Sequence, residues 1–279
     1  MVAISQLAWA WRRGVASLLL TLGLSTFTFQ AGGQILTVGP LLKNTHSHND
    51  YEQKRPLAEA LEQGFRSVEA DIHLVNNRLL VAHDLEDAKP ERTLDRMYLE
   101  PLWRIFQAKG RIHPGETDLI LLIDFKSNAE TTYAALQSDL SRYEPMLTRV
   151  REGKMIQGAV TVVISGNRPR AVMERQGTRL CFMDGRPEDL GKSIPNSLIP
   201  LVSSNWKSHF KWDGAGEMPE TERDLLADIV QMAGKEGKLL RFWATPDVEA
   251  AWGQLGRAGV GLINTDRLPE MRKFLSQNR

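Results

Sequence analysis

The chain has 279 residues, 42% of them hydrophobic, and its 35 lysines and arginines nearly cancel 34 acidic residues, leaving a formal net charge of +1. That length can bury a large core, and the charge balance argues against a nucleic-acid footprint or a broad polybasic membrane surface. The single cysteine, Cys181, excludes an internal disulfide and a cysteine cage for zinc, and reads as a small buried strand residue.

The first residues differ from the rest. "WRRG" supplies a basic stretch, "VASLLLTLGLSTFTF" an apolar core and "QAGGQ" small residues where a peptidase could cut. This order predicts a secretory signal peptide over residues 1–33. The apolar core is shorter than the roughly 20 residues of a membrane span. The expectation is therefore an exported chain, periplasmic or secreted, with no stable membrane insertion after cleavage; an uncleaved N-terminal anchor is the alternative. Residues 34–279 show no internal repeat or low-complexity linker and are expected to form one domain.

From there strand-like and helix-like pieces alternate. "LLKNTHS" is the first candidate strand, followed by a helical stripe at Leu57, Ala60, Leu61 and Phe65 with Gly64 as a stop. "SVEADIHL" is the second strand, and "RLLVAHD" returns after a turn at Asn76–Asn77 as though the strand overshoots and doubles back. A helix is expected around Leu94–Ala108. "LILLIDFK" is the third strand, and Ser127 with Glu130 forms a capping-box start for the helix after it. "AVTVVIS", "RLCFMD" and "IPLVSS" follow as strands, and Asn205–Met218 reads as a loop covering part of the mouth. A stripe at Leu225, Ile229, Met232 and Ala233 leads to "LLRFWAT", and one at Val248, Ala251, Trp252 and Leu255 leads to "VGLINTD". Short, nearly continuous apolar runs mark parallel strands covered on both sides. Eight of them alternating with helices predict an α/β fold, a (β/α)8 TIM barrel. A doubly wound sheet is the alternative, but no G-x-G-x-x-G follows an early strand.

In such a barrel, polar residues at C-terminal strand ends face the active-site mouth. The first strand ends in His46, His48 and Asn49. In the second, Val68, Ala70 and Ile72 share one face while Glu69 and Asp71 share the other. Two carboxylates projecting inward repel each other unless a cation lies between them. Asp124 and Lys126 share a face of the third strand by the same period. His83 comes opposite Asp71 if the hairpin loop is odd-numbered, and on the wrong face if it has two residues; the odd loop is expected.

The blocks "HSHNDY", "PLAEALEQGFRSVEADIHL", "LLVAHD", "LLIDFKS" and "GVGLINTD" resemble the phosphatidylinositol-phospholipase-C-like phosphodiesterases, a TIM-barrel superfamily that includes glycerophosphodiester phosphodiesterases. They look closer still to bacterial relatives of the altered-inheritance-of-mitochondria group within it. The resemblance runs from about His46 to Asp266. It implies a catalytic His48, a metal-binding Asn49, the Glu-x-Asp metal pair Glu69 and Asp71, a second catalytic histidine in His83, and the family lysine in Lys126. Asp124 falls where the family usually has an acidic metal ligand, most often glutamate. "SHN" in place of the His-Arg-Gly of glycerophosphodiesterases is a further departure.

Asparagine and carboxylate oxygens make a hard site suited to Mg²⁺ or Ca²⁺. With Lys126 such an ion would stabilise phosphoryl charge, and His48 and His83 would divide the roles of general base and general acid. His46, Arg241, Trp243 and Asn264 are expected to contact substrate, a small phosphodiester or a phospholipid headgroup; Asp266 also ends the last strand. One rival reading takes His46-x-His48 as the signature of a metal-dependent amidohydrolase or polymerase-and-histidinol-phosphatase type, which wants further histidines late in the barrel. The other is a barrel that binds a ligand without catalysis.

Overall fold

The computed structural model describes residues 27–31, 34–115 and 117–277. Eight strands form the ring: β1 (Leu42–Ser47), β2 (Phe65–Val75), β3 (Leu119–Phe125), β4 (Val160–Gly166), β5 (Phe182–Gly185), β6 (Leu201–Asn205), β7 (Leu239–Trp243) and β8 (Leu262–Thr265). Each pairs in parallel with the next, and β8 closes on β1 through Ile263–Thr45, Asn264–His46 and Thr265–Ser47. The eight-stranded barrel expected from the apolar runs is the observed fold.

The helices are α1 (Ala58–Gln63), α2 (Glu100–Lys109), α3 (Ala129–Ser141), α4 (Arg170–Arg175), α5 (Glu220–Lys235), α6 (Glu249–Ala258) and α7 (Leu268–Gln277). The crossover from β5 to β6 carries only a short 3-10 turn at Pro187–Asp189. The basic stretch and most of the apolar core of the expected leader, residues 1–26, lie outside the described residues. Phe27–Ala31 pairs antiparallel with Gln34–Val38. No helix among the described residues is long and apolar enough to cross a membrane.

Strand alternation builds two apolar layers. Outward residues such as Val68, Ala70, Ile72, Leu121 and Ile123 are fully buried in one large core with the helices. Inward residues Ile120, Leu122, Val163, Phe182, Leu201 and Leu262 make a separate plug inside the ring. One step further along several strands the same inward positions become polar: Asp124, Ser165, Asp184, Ser203, Arg241 and Asn264. The apolar layer thus seals the floor on which a polar layer stands, toward the C-terminal ends of the strands.

Several local expectations change. Asn128, not Ser127, caps α3, accepting from the Thr131 backbone N–H at 3.2 Å; Ser127 Oγ instead accepts from the Leu74 N–H. The buried stripe of α5 is Leu226, Ile229 and Ala233, with Leu225 and Met232 exposed. The segment from Asn205 to Met218 does not cover the mouth. It buries Trp206, Phe210, Trp212 and Met218 in the core, and the Trp206 indole donates to the Trp212 carbonyl. Cys181 is buried as expected, and burial pushes its thiol up to about 12.

Candidate active site

A cavity of about 380 Å³ opens at the C-terminal end of the barrel, bordered by His48 and Asn49 from β1 and by Glu69 and Asp71 from β2. His83, Asp124 and Lys126 border it too, with Arg241 and Trp243 on β7. Nine of the eleven positions singled out in the sequence therefore meet around one space. Sheet register sets the group: Asp71 pairs with Asp124, and Asp124 with Ser165, so neighbouring strands deliver their inward side chains at one height.

The loop after β1 is fixed from below. Asp50 is fully buried and accepts from Ser47 Oγ at 2.8 Å, Tyr98 Oη at 2.9 Å and the Leu57 N–H at 2.6 Å. Burial raises its carboxyl to about 6 despite these donors. Leu57 sits at φ 62°, ψ −46°, with the Ala58 N–H closing on the Pro56 carbonyl, a strained γ-turn. Asn49 takes a left-handed conformation at φ 44°, ψ 44°, which asparagine tolerates better than most residues.

Each of the three carboxylates has one oxygen anchored by a donor. Glu69 Oε2 accepts from Arg241 Nη2 at 2.7 Å and lies 3.0 Å from His46 Nε2. Burial opposes ionisation of Glu69, but the Arg241 charge and the His46 hydrogen bond outweigh it and hold the carboxyl well below the usual range. Asp71 Oδ2 accepts from Tyr51 Oη at 2.8 Å and lies 3.0 Å from Lys126 Nζ. Lys126 also reaches Asp124 Oδ2 at 2.7 Å. Burial disfavours its ammonium, yet the hydrogen bond and charge of Asp124, with the charge of Asp71, push the lysine up to about 12.

The remaining oxygens bear on a metal. Among the described residues, Asp71 Oδ1 and Asp124 Oδ1 are buried carboxylate oxygens with no hydrogen-bond partner. One oxygen from each of Glu69, Asp71 and Asp124 falls within 4.8 Å of the other two. Burial, then the Glu69 charge, raise the Asp71 carboxyl in spite of Lys126. Unpaired buried oxygens are costly, and a cation among them would remove that cost. The donor set therefore fits a hard divalent ion, and Asn49 borders the same cavity.

The two histidines are held by different devices. His48 Nδ1 lies 2.9 Å from Asp266 Oδ1, just past β8. Burial lowers the imidazole pKa, but the Asp266 hydrogen bond and the Glu69 charge leave it raised overall. Asp266 is placed by Asp247, whose Oδ2 accepts the Asp266 N–H and whose Oδ1 accepts from the Trp252 indole. His83 Nδ1 lies 3.1 Å from both Asp71 Oδ2 and Tyr51 Oη. Asp84, the sequence neighbour that could orient His83, is exposed and takes no part in this contact.

Three sequence expectations are corrected. The hairpin loop has two residues, Asn76 and Asn77, both at positive φ, with Val75 opposite Arg78. By strict alternation His83 would face away from Asp71. It reaches Asp71 because the return strand ends at Val81 and the backbone turns off at Ala82–His83. His46 does not touch the cavity. It is wholly buried, with both ring nitrogens engaged by Ser67 Oγ at 2.7 Å and Glu69 at 3.0 Å, and burial followed by the Arg241 charge lowers its pKa to about 4. Asn264 does not border this cavity; it lines a small neighbouring one of about 70 Å³ with His48 and Asp266, and its Oδ1 accepts from Arg241 Nε at 2.8 Å. His73, nearby on β2, is buried, with Nε2 3.2 Å from the His83 carbonyl.

Sequence reasoning missed Tyr51, Arg186, Ser165 and Gly166 at the site. Arg186 follows β5 and borders the cavity. Its anchor, Asp184, is a carboxylate inside an otherwise apolar strand, and that was the one available signal.

The barrel matches those of solved glycerophosphodiester phosphodiesterases. The enzyme from Parabacteroides distasonis aligns with a TM-score of 0.53 at 15% identity, covering 86% of this chain and all of that one. The enzyme from Agrobacterium tumefaciens aligns at 0.50 with 13% identity, covering 84% of this chain and all of that one. The fold is thus the phosphodiesterase-type TIM barrel. A family profile described as the AIM6-like phosphodiesterase domain matches residues 36–184. Altered inheritance of mitochondria protein 6 of Eremothecium gossypii is 30% identical over 275 residues, covering 84% of this chain and 70% of that protein. Its counterpart in Kluyveromyces lactis is 33% identical over 306 residues, covering 84% and 72%. The chain belongs to the AIM6-like phosphodiesterase domain family. These relatives are fungal, whereas the motif resemblance pointed to bacterial members of the group.

Proposed function

We propose that the chain is a metal-dependent phosphoric diester hydrolase acting on a phospholipid headgroup or a glycerophosphodiester-like substrate. The observation that carries this reading is the convergence of Glu69, Asp71 and Asp124 within 4.8 Å, two of them with unpartnered buried oxygens, in a cavity also bordered by His48 and His83. Glu69, Asp71 and Asp124 would hold Mg²⁺ or Ca²⁺, with Asn49 as a further oxygen donor. An ion there would polarise a phosphoryl oxygen and offset negative charge gathering in the transition state.

The chain's own groups supply the rest. Lys126 stays protonated at neutral pH and adds positive charge beside the phosphoryl group. Arg241 borders the same cavity and orients Glu69. With Nδ1–H of His48 donated to Asp266, its Nε2 is left to take or give a proton. The same logic applies to His83, whose Nδ1 faces Asp71 and Tyr51. One imidazole removes the proton from a substrate hydroxyl or water, and the other protonates the leaving alkoxide.

The geometry gives less support to the metal-hydrolase reading of His46-x-His48, because His46 has both nitrogens engaged and no exposed surface. The leader-like order of "WRRG", "VASLLLTLGLSTFTF" and "QAGGQ" supports action outside the cytoplasmic membrane. The balanced charge supports a small-molecule or lipid substrate over nucleic acid.

Purified protein should hydrolyse bis-p-nitrophenyl phosphate, lose that activity in EDTA, and regain it with Mg²⁺ or Ca²⁺. Activity that survives complete chelation would remove the ion from the reaction, and full activity in a folded His83→Ala variant would remove the acid–base pair.

A further inference from the structure

Behind the wall of the cavity, Asp184 is fully buried on β5. Its Oδ1 accepts from Ser203 Oγ on β6 at 2.7 Å, and its Oδ2 accepts from Ser165 Oγ on β4 at 2.8 Å. Oδ2 also accepts from Arg186 Nη1 at 2.7 Å, and the same nitrogen reaches the Gly185 carbonyl at 2.8 Å. The Arg186 backbone N–H donates to Asp189 at 2.9 Å, so main chain and side chain are both tethered. So held, the guanidinium carbon stands 5.2 Å from the centre of the Trp243 ring, and both residues border the cavity.

An indole face beside a phosphate site is where a cationic headgroup would rest, through attraction between its charge and the ring. Here a fixed guanidinium already occupies a face of Trp243. A second cation would lose that contact and meet a like charge. Among the described residues, both hydrogen bonds donated by the Arg186 side chain use Nη1, which leaves the rest of its planar fork for oxygen acceptors.

We propose that Arg186, stacked on Trp243 and held by buried Asp184, sets the headgroup choice of the site: it rejects diesters with cationic headgroups such as choline and selects those with uncharged, oxygen-rich headgroups such as glycerol. This rests on the reading of the cavity as a phosphodiester site and adds the headgroup class to it.

The test is equilibrium binding by calorimetry, with sn-glycerol 3-phosphate and phosphocholine as probes, on the whole wild-type chain and on Arg186→Met and Arg186→Lys. Wild type should bind glycerol phosphate at least tenfold more tightly. Arg186→Met should bring the ratio to within about threefold, and Arg186→Lys, which keeps the charge, should preserve most of it. Removing Arg186 leaves Asp184 buried with only two hydroxyl donors, so folding of the methionine variant must be checked by thermal melt; the wild-type ratio and the lysine variant remain decisive if it fails. Equal binding by wild type, an unchanged ratio in folded Arg186→Met, or binding of neither probe overturns the proposal. Wild-type turnover of bis-p-nitrophenyl phosphate is read separately, so loss of the hydrolase reading shows there and loss of the headgroup rule shows in the binding ratio.

Discussion

Arg241 places Nη2 2.7 Å from Oε2 of Glu69, joining the seventh strand to the second across the interior of the barrel. Both residues are almost fully buried, so each is the other's main compensation for leaving water. Arg241→Met should therefore cost about 3–5 kcal/mol, because it strands a buried carboxylate. Urea denaturation of Arg241→Met, Glu69→Gln and the double variant checks this. The double variant should be less destabilised than the sum of the singles, and strict additivity would show that the pair is not coupled.

Gly166 ends β4 at φ +65°, and a Cβ added there would lie 1.9 Å from Asp124 Oδ1. Gly166→Ala should displace the Asp124 carboxylate as well as strain the backbone. The expected stability loss is about 1–3 kcal/mol, with a fall in divalent-ion affinity of roughly tenfold or more. Calorimetric titration with Mg²⁺ and Ca²⁺ measures the second effect. Unchanged affinity in a folded variant would show that Asp124 has room to adjust.

Tyr51 is nearly fully buried, and its hydroxyl donates to Asp71 at 2.8 Å while lying 3.1 Å from His83 Nδ1. Tyr51→Phe keeps the ring and removes only that hydroxyl. Stability should fall by about 1 kcal/mol, and kcat should drop about tenfold or more with little change in KM, because the group orients His83 without touching substrate. A variant whose kcat equals wild type would leave Asp71 alone as the support of His83.

His113 is fully buried, and burial lowers its imidazole to about 4. An unfolded histidine binds its proton near pH 6.5. Between these values the unfolded chain holds more protons than the folded one, so stability is full above about pH 6.5 and falls as pH drops toward 4. The loss attributable to His113 is on the order of 3 kcal/mol. His113→Gln should flatten the stability–pH slope in that window without abolishing it, since buried His46 contributes in the same direction. Chemical denaturation at stepped pH reads the slope directly.

The strands were legible because buried parallel strands are written as apolar runs, and Glu69 and Asp71 because one inward face of "SVEADIHL" is acidic. His83 was found despite a wrong loop length: strict alternation is a property of strands, and the chain leaves the strand one residue before it matters. The segment from Asn205 to Met218 was misread because glycine and charge suggest a loop, while its two tryptophans and Phe210 carry enough apolar surface to pull it into the core. Tyr51 with His83, Asp184 with Arg186 and Asp266 with His48 were hidden or only half visible for a shared reason. Each depends on where side chains project in three dimensions, and the last joins residues 218 apart, a separation that no local pattern encodes.

The seam between β8 and β1 has a further consequence. A chain released after β5 would carry all three carboxylates and both imidazoles, yet lack Arg241 and Asp266 and have no neighbour to seal its open edge. Long-range closure is a slow event in folding. Completion of the candidate site, with Arg241 and Asp266 in place, therefore waits for the last strand to pair with the first.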